Sequence, residues 1–163
     1  VTAAAGLSID VCDPRGPVAR ALIAELDEYL NALYPPQNNY LDPADELAKA
    51  HVRFVVASWG GAPIGCGAVK SMPERYGEIK RVFVRPAGRG HGVARRIMSD
   101  LESHLVANRI TEARLETGVH QPEALALYEA LGYRRIGRFG EYRDDPLSIF
   151  MGKRLVAGKA RWT

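Results

Sequence analysis

The chain has 163 residues, 47% of them apolar, 25% charged and 8% aromatic, the balance of an ordinary globular chain of roughly one domain. That composition excludes a disordered or collagen-like polymer, and at this length roughly 70% of the surface exposed by the unfolded chain can be buried without a disulfide or structural metal. The net charge of +3 permits a polyanionic ligand or a nucleic acid and does not choose between them. Cys12 and Cys66 stand far apart with no CxxC spacing, which makes neither a disulfide framework nor a zinc pattern, so both read as reduced small hydrophobes and no metal is expected. Val1 to Gly6 carry no basic n-region and no apolar h-region, and nowhere do eighteen apolar residues run together. Neither secretion nor a membrane span is therefore expected, and the expected location is cytoplasmic.

In chain order, Leu7 to Val11 reads as a short edge strand, stopped by the turn Asp13-Pro14-Arg15-Gly16-Pro17. With Pro17 at the first helical position, Leu22, Ile23, Leu26, Tyr29, Leu30 and Leu33 then recur at three- and four-residue spacing, the stripe of an amphipathic helix. Asp42-Pro43 reads as the cap and first turn of a shorter helix reaching Ala50. Arg53 to Ser58 and Pro63 to Lys70 form a hairpin across Gly60-Gly61, and Glu78 to Arg85 gives another strand, closed by Pro86. The period then changes: His91 to Val106 places Val93, Ile97, Leu101 and Leu105 on one face of a helix. Thr111 to Thr117 is a strand. Gln121-Pro122 opens a helix with the stripe Ala124, Leu127, Tyr128 and Leu131 and with Gly132 as its left-handed end. Tyr133 to Gly137 and Leu147 to Arg154 are the last strands. The predicted order is β-α-α-β-β-β-α-β-α-β-β, an α/β mixed sheet with helices on its faces. Residues 1–6 form an N-terminal extension, 7–155 a single domain and 156–163 a basic tail with Lys159 and Arg161.

The segment richest in chemistry is Val82-Phe83-Val84-Arg85-Pro86-Ala87-Gly88-Arg89-Gly90-His91-Gly92-Val93-Ala94, a strand that runs through a glycine-dense turn straight into a helix. Glycines let the backbone curl so that several N–H groups converge on an anion, and the helix start adds unpaired donors and the positive end of its dipole. Arg89 and Arg95 would add charge-assisted bonds. The alternative is a tight connection with glycines for geometry alone. The dinucleotide fingerprint G-x-G-x-x-G fails, since Val93 and Arg95 occupy the third-glycine places, and no Gly-Lys-Ser/Thr occurs.

The spacing Arg89-Gly90-His91-Gly92-Val93-Ala94 matches Arg-x-x-Gly-x-Gly/Ala and resembles the acyl-CoA-binding signature of the GNAT N-acetyltransferase superfamily. A second block supports the resemblance: Leu115-Glu116-Thr117-Gly118, then Gln121 to Gly132-Tyr133, ending in the family's "Leu-Gly-Phe/Tyr". The resemblance covers about residues 7 to 155. It implies a mixed, mostly antiparallel sheet of about six or seven strands flanked by about four helices, acetyl-CoA as cosubstrate, and direct transfer of the acetyl group to a primary amine. It also implies that backbone groups of Val82, Phe83 and Val84 pair with the pantetheine arm and that the pyrophosphate lies on the N–H groups from Arg89 through Gly90, His91, Gly92, Val93 and Ala94 to Arg95. Gln121 and Ala124 of the second block count with the cofactor-binding residues.

By the same match, Tyr128 takes the place of the tyrosine that protonates the leaving thiolate, a role that a phenol with a pKa of ~10 can fill. The alternative is a core aromatic, since Tyr128 lies on an apolar stripe. Glu78, at the head of the strand leading into the turn, is the candidate general base, against a solvated Glu or a partner of Lys80 or Arg81. Glu116 is the second candidate. His91 and His120 titrate in a useful range, with His91 a phosphate-side donor at most, and His51 and His104 read as surface or loop residues. Cys66 between Gly65 and Gly67 reads as packing. Glu141, Asp144 and Asp145 form an acidic loop that would draw a cationic amine, and Tyr34, Tyr40, Trp59 and Tyr142 are candidate walls of the substrate entrance. The acceptor is a small-molecule or peptide amine, and a homodimer is left open. Two rival readings are a non-catalytic acyl-CoA-binding module and, with less support, a basic nucleic-acid-binding domain.

Overall fold

The computed structural model describes residues 6–156. Residues 1–5 and 157–163, with Lys159 and Arg161 of the basic tail, lie outside the described residues. The strands are β1 (Leu7–Val11), β2 (Val52–Trp59), β3 (Ala62–Ser71), β4 (Gly77–Val84), β5 (Glu112–Gly118), β6 (Arg134–Arg135) and β7 (Ser148–Arg154). The helices are α1 (Pro17–Leu33), α2 (Ala44–Leu47), α3 (Val93–Ala107) and α4 (Pro122–Ala130). Their order along the chain is the one the hydrophobic periods predict. One seven-stranded sheet runs β1-β2-β3-β4-β5-β7-β6. Every pair is antiparallel except β4 and β5, which are parallel.

Alternation along the strands gives the sheet two cores. Val55 and Ala57 of β2 and Val69 of β3 pack with Ile97, Leu101 and Leu105 of α3, whereas Phe54, Val56, Cys66 and Ala68 face Leu22, Ile23 and Leu26 of α1. Helix α3 lies unusually close: a Cβ on Gly67 would stand 2.5 Å from Ile97, and one on Gly77 2.3 Å from Leu105. The register slips between Ala57 and Ser58 in the β2–β3 pair, and alternation also breaks in β4. Ile79 faces α3 and Phe83 faces α1 although they are four residues apart, because the register with β3 slips between Ala68↔Lys80 and Cys66↔Phe83. One extra residue in a strand moves everything after it to the opposite face. The extra residue is Arg81, with φ of 60°.

Three expected boundaries shorten. Helix α2 ends at Leu47 rather than Ala50, and its first flank is Pro43 with no side-chain cap. The Asp42 carboxylate is drawn instead to Lys70 at 3.0 Å and Lys80 at 3.5 Å, pairs in which a carboxylate gains more than from one backbone N–H. Helix α3 begins at Val93 rather than His91, since Gly92 is left-handed with φ of 75°. The strand expected over Tyr133 to Gly137 is confined to Arg134–Arg135. Tyr133 itself is buried, its hydroxyl donating to Glu102 of α3 at 2.8 Å.

Candidate active site

Strand β4 delivers the chain into the glycine-rich turn. A short 3-10 turn, Pro86–Gly88, closes on itself, with the Arg89 N–H donating to the Pro86 carbonyl at 3.2 Å. Gly90 and Gly92 then take φ of 81° and 75°, which glycine reaches without strain. Among the described residues, no carbonyl or side chain accepts the N–H groups of Gly90, His91, Gly92, Val93, Ala94 or Arg95. The expected row of donors is therefore present but starts one residue later than the sequence suggests, since the Arg89 amide is already used. Arg89 bonds the Val84 carbonyl through Nε at 3.1 Å, and its side chain remains exposed. Val82 and Val84 pack toward α3, and Phe83 is buried against α1. These side chains are spent on the core, so β4 offers a ligand its backbone.

Strands β4 and β5 pair only from Gly77↔Ala113 to Ile79↔Leu115 and then part. Between them opens a cleft of about 90 Å³, lined by Lys80, Arg81 and Val82 on one arm and by Glu116, Thr117, Tyr128 and Tyr142 on the other. Tyr128 stands at the last turn of α4. The left-handed Gly132 returns the chain so that the Tyr133 N–H donates to the Tyr128 carbonyl at 3.0 Å, and the two rings meet edge to face at 5.9 Å. The Tyr128 hydroxyl has no partner among the described residues, and no buried polar side-chain atom among them lacks one. The hydroxyl therefore opens on the cleft. Burial, and next the Glu116 charge, push its pKa up to about 12.

The two candidate carboxylates differ in what holds them. Glu116 accepts the Ser148 hydroxyl at 2.6 Å and faces the cleft. Burial pushes it up to about 7, against the lowering effect of Ser148 and Lys80. Glu78 is buried and accepts the Tyr142 hydroxyl, with Lys80 Nζ at 3.9 Å. Tyr142 in turn lines the Glu116 cleft and a larger open groove of about 1010 Å³ holding Glu78, Tyr76 and Phe139. Burial and then Glu78 keep the Tyr142 phenol protonated. The site thus holds a free phenol and a carboxylate near neutrality on one cleft, beside a turn of free amides.

Residues 19–133 match the model of the acetyltransferase (GNAT) family. The chain belongs to the GNAT family. It is 45% identical over 135 residues to an IAA acetyltransferase of Azospirillum brasilense, covering 82% of this chain and 88% of that one. The solved structure of a Klebsiella pneumoniae protein assigned as an acyl-CoA N-acyltransferase superposes with a TM-score of 0.79 at 34% identity, over 92% of this chain and 98% of the other. The PaiA N-acetyltransferase of Thermoplasma acidophilum, solved with coenzyme A, shares the fold at a TM-score of 0.70 and 13% identity, over 91% and 98% of the two chains.

In this GNAT chain, Tyr34 ties the α1 side to the α4 side. Its hydroxyl accepts the His120 N–H and donates to Gln121 Oε1, each at 3.1 Å, and its ring stacks on His120 at 5.3 Å. Gln121 thus serves as an anchor at the start of α4, while Ala124 packs against the α3-side core. The clamp requires Gly118, where a Cβ would lie 1.8 Å from the Tyr34 hydroxyl. Gly118→Ala is therefore expected to destabilise the fold by ~1–3 kcal/mol, the usual cost of overpacking, read as a fall in the urea midpoint; Tyr34→Phe/Gly118→Ala should recover little of it, because ring carbons would still stand 2.2 Å and 2.8 Å from the new Cβ.

Several sequence expectations change place. The acidic loop does not present three free carboxylates. Asp145 turns inward to Asn38, Tyr40 and the Leu147 N–H at 2.8 to 2.9 Å, and Asp144 pairs with Arg138 at 2.9 Å. Trp59 packs on His91 at 5.4 Å instead of lining the cleft that Tyr34, Tyr40 and Tyr142 line. His104 is half-buried on α3. Cys66 is buried, donates to the Arg81 carbonyl at 3.3 Å, and is pushed up to about 12 by burial, which makes it inert. Arg81 and the Tyr34 clamp carry no motif. The first leaves a trace in the sequence, the slipped alternation of Ile79, Val82, Phe83 and Val84.

Among the described residues, no three His, Cys, Asp or Glu side chains converge as metal ligands, and no helix is long and apolar enough to cross a membrane.

Proposed function

We propose that the chain is a cytoplasmic, acetyl-CoA-dependent N-acetyltransferase that moves an acetyl group directly to a primary amine. The observation that carries this reading is the juxtaposition, on one strand exit, of six unpartnered amides with a cleft holding Tyr128 and Glu116. Converging N–H groups at a helix start suit a pyrophosphate, so the amides of Gly90 to Arg95 would hold that part of acetyl-CoA, with Arg89 and Arg95 alongside. The backbone of Val82, Phe83 and Val84 would pair with the pantetheine arm, and Gln121 and Ala124 of the second block would lie along the cofactor. Acetyl-CoA supplies an activated thioester.

The protein's share is position and protons. The cleft holds the amine nitrogen against the thioester carbon, which replaces a bimolecular encounter. As the N–C bond forms, the carbonyl electron pair moves to oxygen; as it returns, the C–S bond breaks and the pair leaves on sulfur. Tyr128 gives its proton to that sulfur, and one of the two carboxylates, Glu116 or Glu78, takes the proton released by nitrogen. Glu116 is assigned the direct transfer, since it faces the cleft and titrates near neutrality. Glu78 shares the task through Tyr142, whose hydroxyl it holds.

Calorimetry with acetyl-CoA tests the reading, followed by thiol release across a panel of small and peptide amines. Binding with turnover is expected; binding with no thiol release from any amine would replace this reading by an acyl-CoA-binding module. Absence of binding, with steep salt-dependent affinity for DNA or RNA instead, would replace it by a nucleic-acid-binding one. Arg89→Ala is expected to weaken acetyl-CoA binding. Gly92→Val should weaken it at least ~10-fold by straining the left-handed backbone, since a side chain there meets nothing within 4 Å. Unchanged affinity in Gly92→Val would remove the turn from the cofactor site.

A further inference from the structure

Lys80 of β4 is a buried cation that the transfer chemistry above does not use. Its side chain is 11% exposed, and it lines both the Glu116 cleft and the larger groove, as Tyr40 and Tyr142 do. Among the described residues its ammonium has no close acceptor of its own. The Tyr142 hydroxyl lies at 3.4 Å, Asp42 Oδ1 at 3.5 Å and Glu78 Oε2 at 3.9 Å, whereas a charge-assisted bond closes to about 2.7–2.9 Å. Each of these three groups is held more tightly elsewhere: Asp42 by Lys70 at 3.0 Å, and Glu78 and Tyr142 by each other. A buried ammonium gains most from a carboxylate at hydrogen-bond distance. Here two lysines share Asp42, and Lys80 has the longer pair. Across the parted strands, Lys80 also stands near enough to Glu116 to lower its pKa.

We propose that the acceptor is an α-amino acid and that Lys80 holds its carboxylate. The proposal rests on the N-acetyltransferase reading above and narrows its acceptor. The opposite charges of Glu116 and Lys80, side by side on one cleft, complement the ammonium and carboxylate of one zwitterion, which a single carbon separates. The ligand carboxylate supplies Lys80 with the short ion pair it lacks, and that pair forms only for an acceptor that carries the group. A polyamine sets a second cation against Lys80 and Lys70, and a peptide N-terminus offers an amide carbonyl, a weaker acceptor, in place of the carboxylate. The side chain of the amino acid extends into the groove, where the rings of Tyr76, Phe139 and Tyr142 meet edge to face at 5.4 to 5.6 Å and make apolar walls.

The experiment is thiol release by the full chain as wild type, Lys80→Met and Lys80→Gln. The acceptors are phenylalanine and alanine, each beside its amide and its decarboxylated amine, so that members of a set keep the primary amine and differ at the carboxylate. Calorimetry with acetyl-CoA and thermal unfolding accompany it. In the wild type, kcat/KM for the amino acid is expected to exceed that for its amide and its amine by ~10-fold or more, the worth of a hydrogen bond between charged groups. In Lys80→Met that ratio should fall to within about threefold of unity, the loss appearing as a higher KM for the amino acid. Lys80→Gln serves where Lys80→Met does not fold. A change in stability, or in the titration of Glu116, moves all members of a set together, so a merely structural role leaves the ratio at its wild-type value. A ratio that survives the loss of Lys80 overturns the proposal. So does a wild type that turns over the amide or the amine as well as the amino acid, or that releases thiol only with amines lacking a carboxylate; in each of these cases the acetyltransferase reading stands. No thiol release with any amine removes both.

Discussion

Tyr128→Phe is expected to lower kcat by ~10²–10⁴-fold, the usual worth of a positioned general acid, while the affinity for acetyl-CoA stays near that of the wild type. The substitution removes one oxygen that makes no hydrogen bond among the described residues, so the fold should lose little. The ring keeps its edge-to-face contact with Tyr133 at 5.9 Å. Burial holds the phenol at about 12, so it stays protonated throughout the physiological range and is available as a donor. The same burial penalises a thiolate formed beside it, which brings donor and acceptor basicities together. Steady-state kinetics with thiol detection, paired with calorimetry, separates the outcomes. Equal turnover by the variant would return Tyr128 to the role of core aromatic.

Glu116→Gln carries the second large effect, and it has two signs. As a base Glu116 works deprotonated, so wild-type kcat should rise with pH through about 7, the value to which burial pushes it. The variant should lack that rise and fall by ~10²-fold or more. Glu78→Gln separates the two carboxylates: it should disturb Tyr142 and lower activity while the rise near neutrality persists. Should Glu78→Gln abolish that rise and Glu116→Gln retain it, the direct base is Glu78.

Stability moves the other way. Below the ordinary value of 4.5 both folded and unfolded chains carry the proton on Glu116; between 4.5 and about 7 only the folded chain keeps it. The folded state binds more protons there, so this contribution is present at acid pH and lost as pH rises through about 7. At about pH 8 Glu116→Gln is expected to be the more stable protein by up to about 3 kcal/mol, the free-energy equivalent of the full shift. Urea unfolding at about pH 4 and about pH 8 reads this directly: an equal effect of the substitution at both pH values would mean that Glu116 titrates normally.

The glycine-rich turn was legible because its requirement is local. Backbone that must turn left-handed favours glycine, and Gly90 and Gly92 stand where it does. Helix α3 declares itself by period, and the end of α4 by Gly132. The candidate carboxylates are different. Nothing in the strings around Glu78 and Glu116 distinguishes them, because each sits on a strand of alternating polarity. What separates them is how the strands part after Ile79↔Leu115 and which hydroxyl arrives from the last loop: Tyr142 at Glu78, Ser148 at Glu116. The acidic loop shows the same limit, since Asp145 finds partners more than a hundred residues earlier in Asn38 and Tyr40.

By itself the sequence determined the order of strands and helices, the family, and the glycine-rich turn with its run of open amides, since periodicity, glycine and proline act over a few residues. Only the tertiary structure decided where β4 and β5 part, the left-handed Arg81, and the burial that raises Glu116. Those depend on burial and on pairs of groups far apart in the chain, and the cost of desolvating a charge is set by what the fold packs around it.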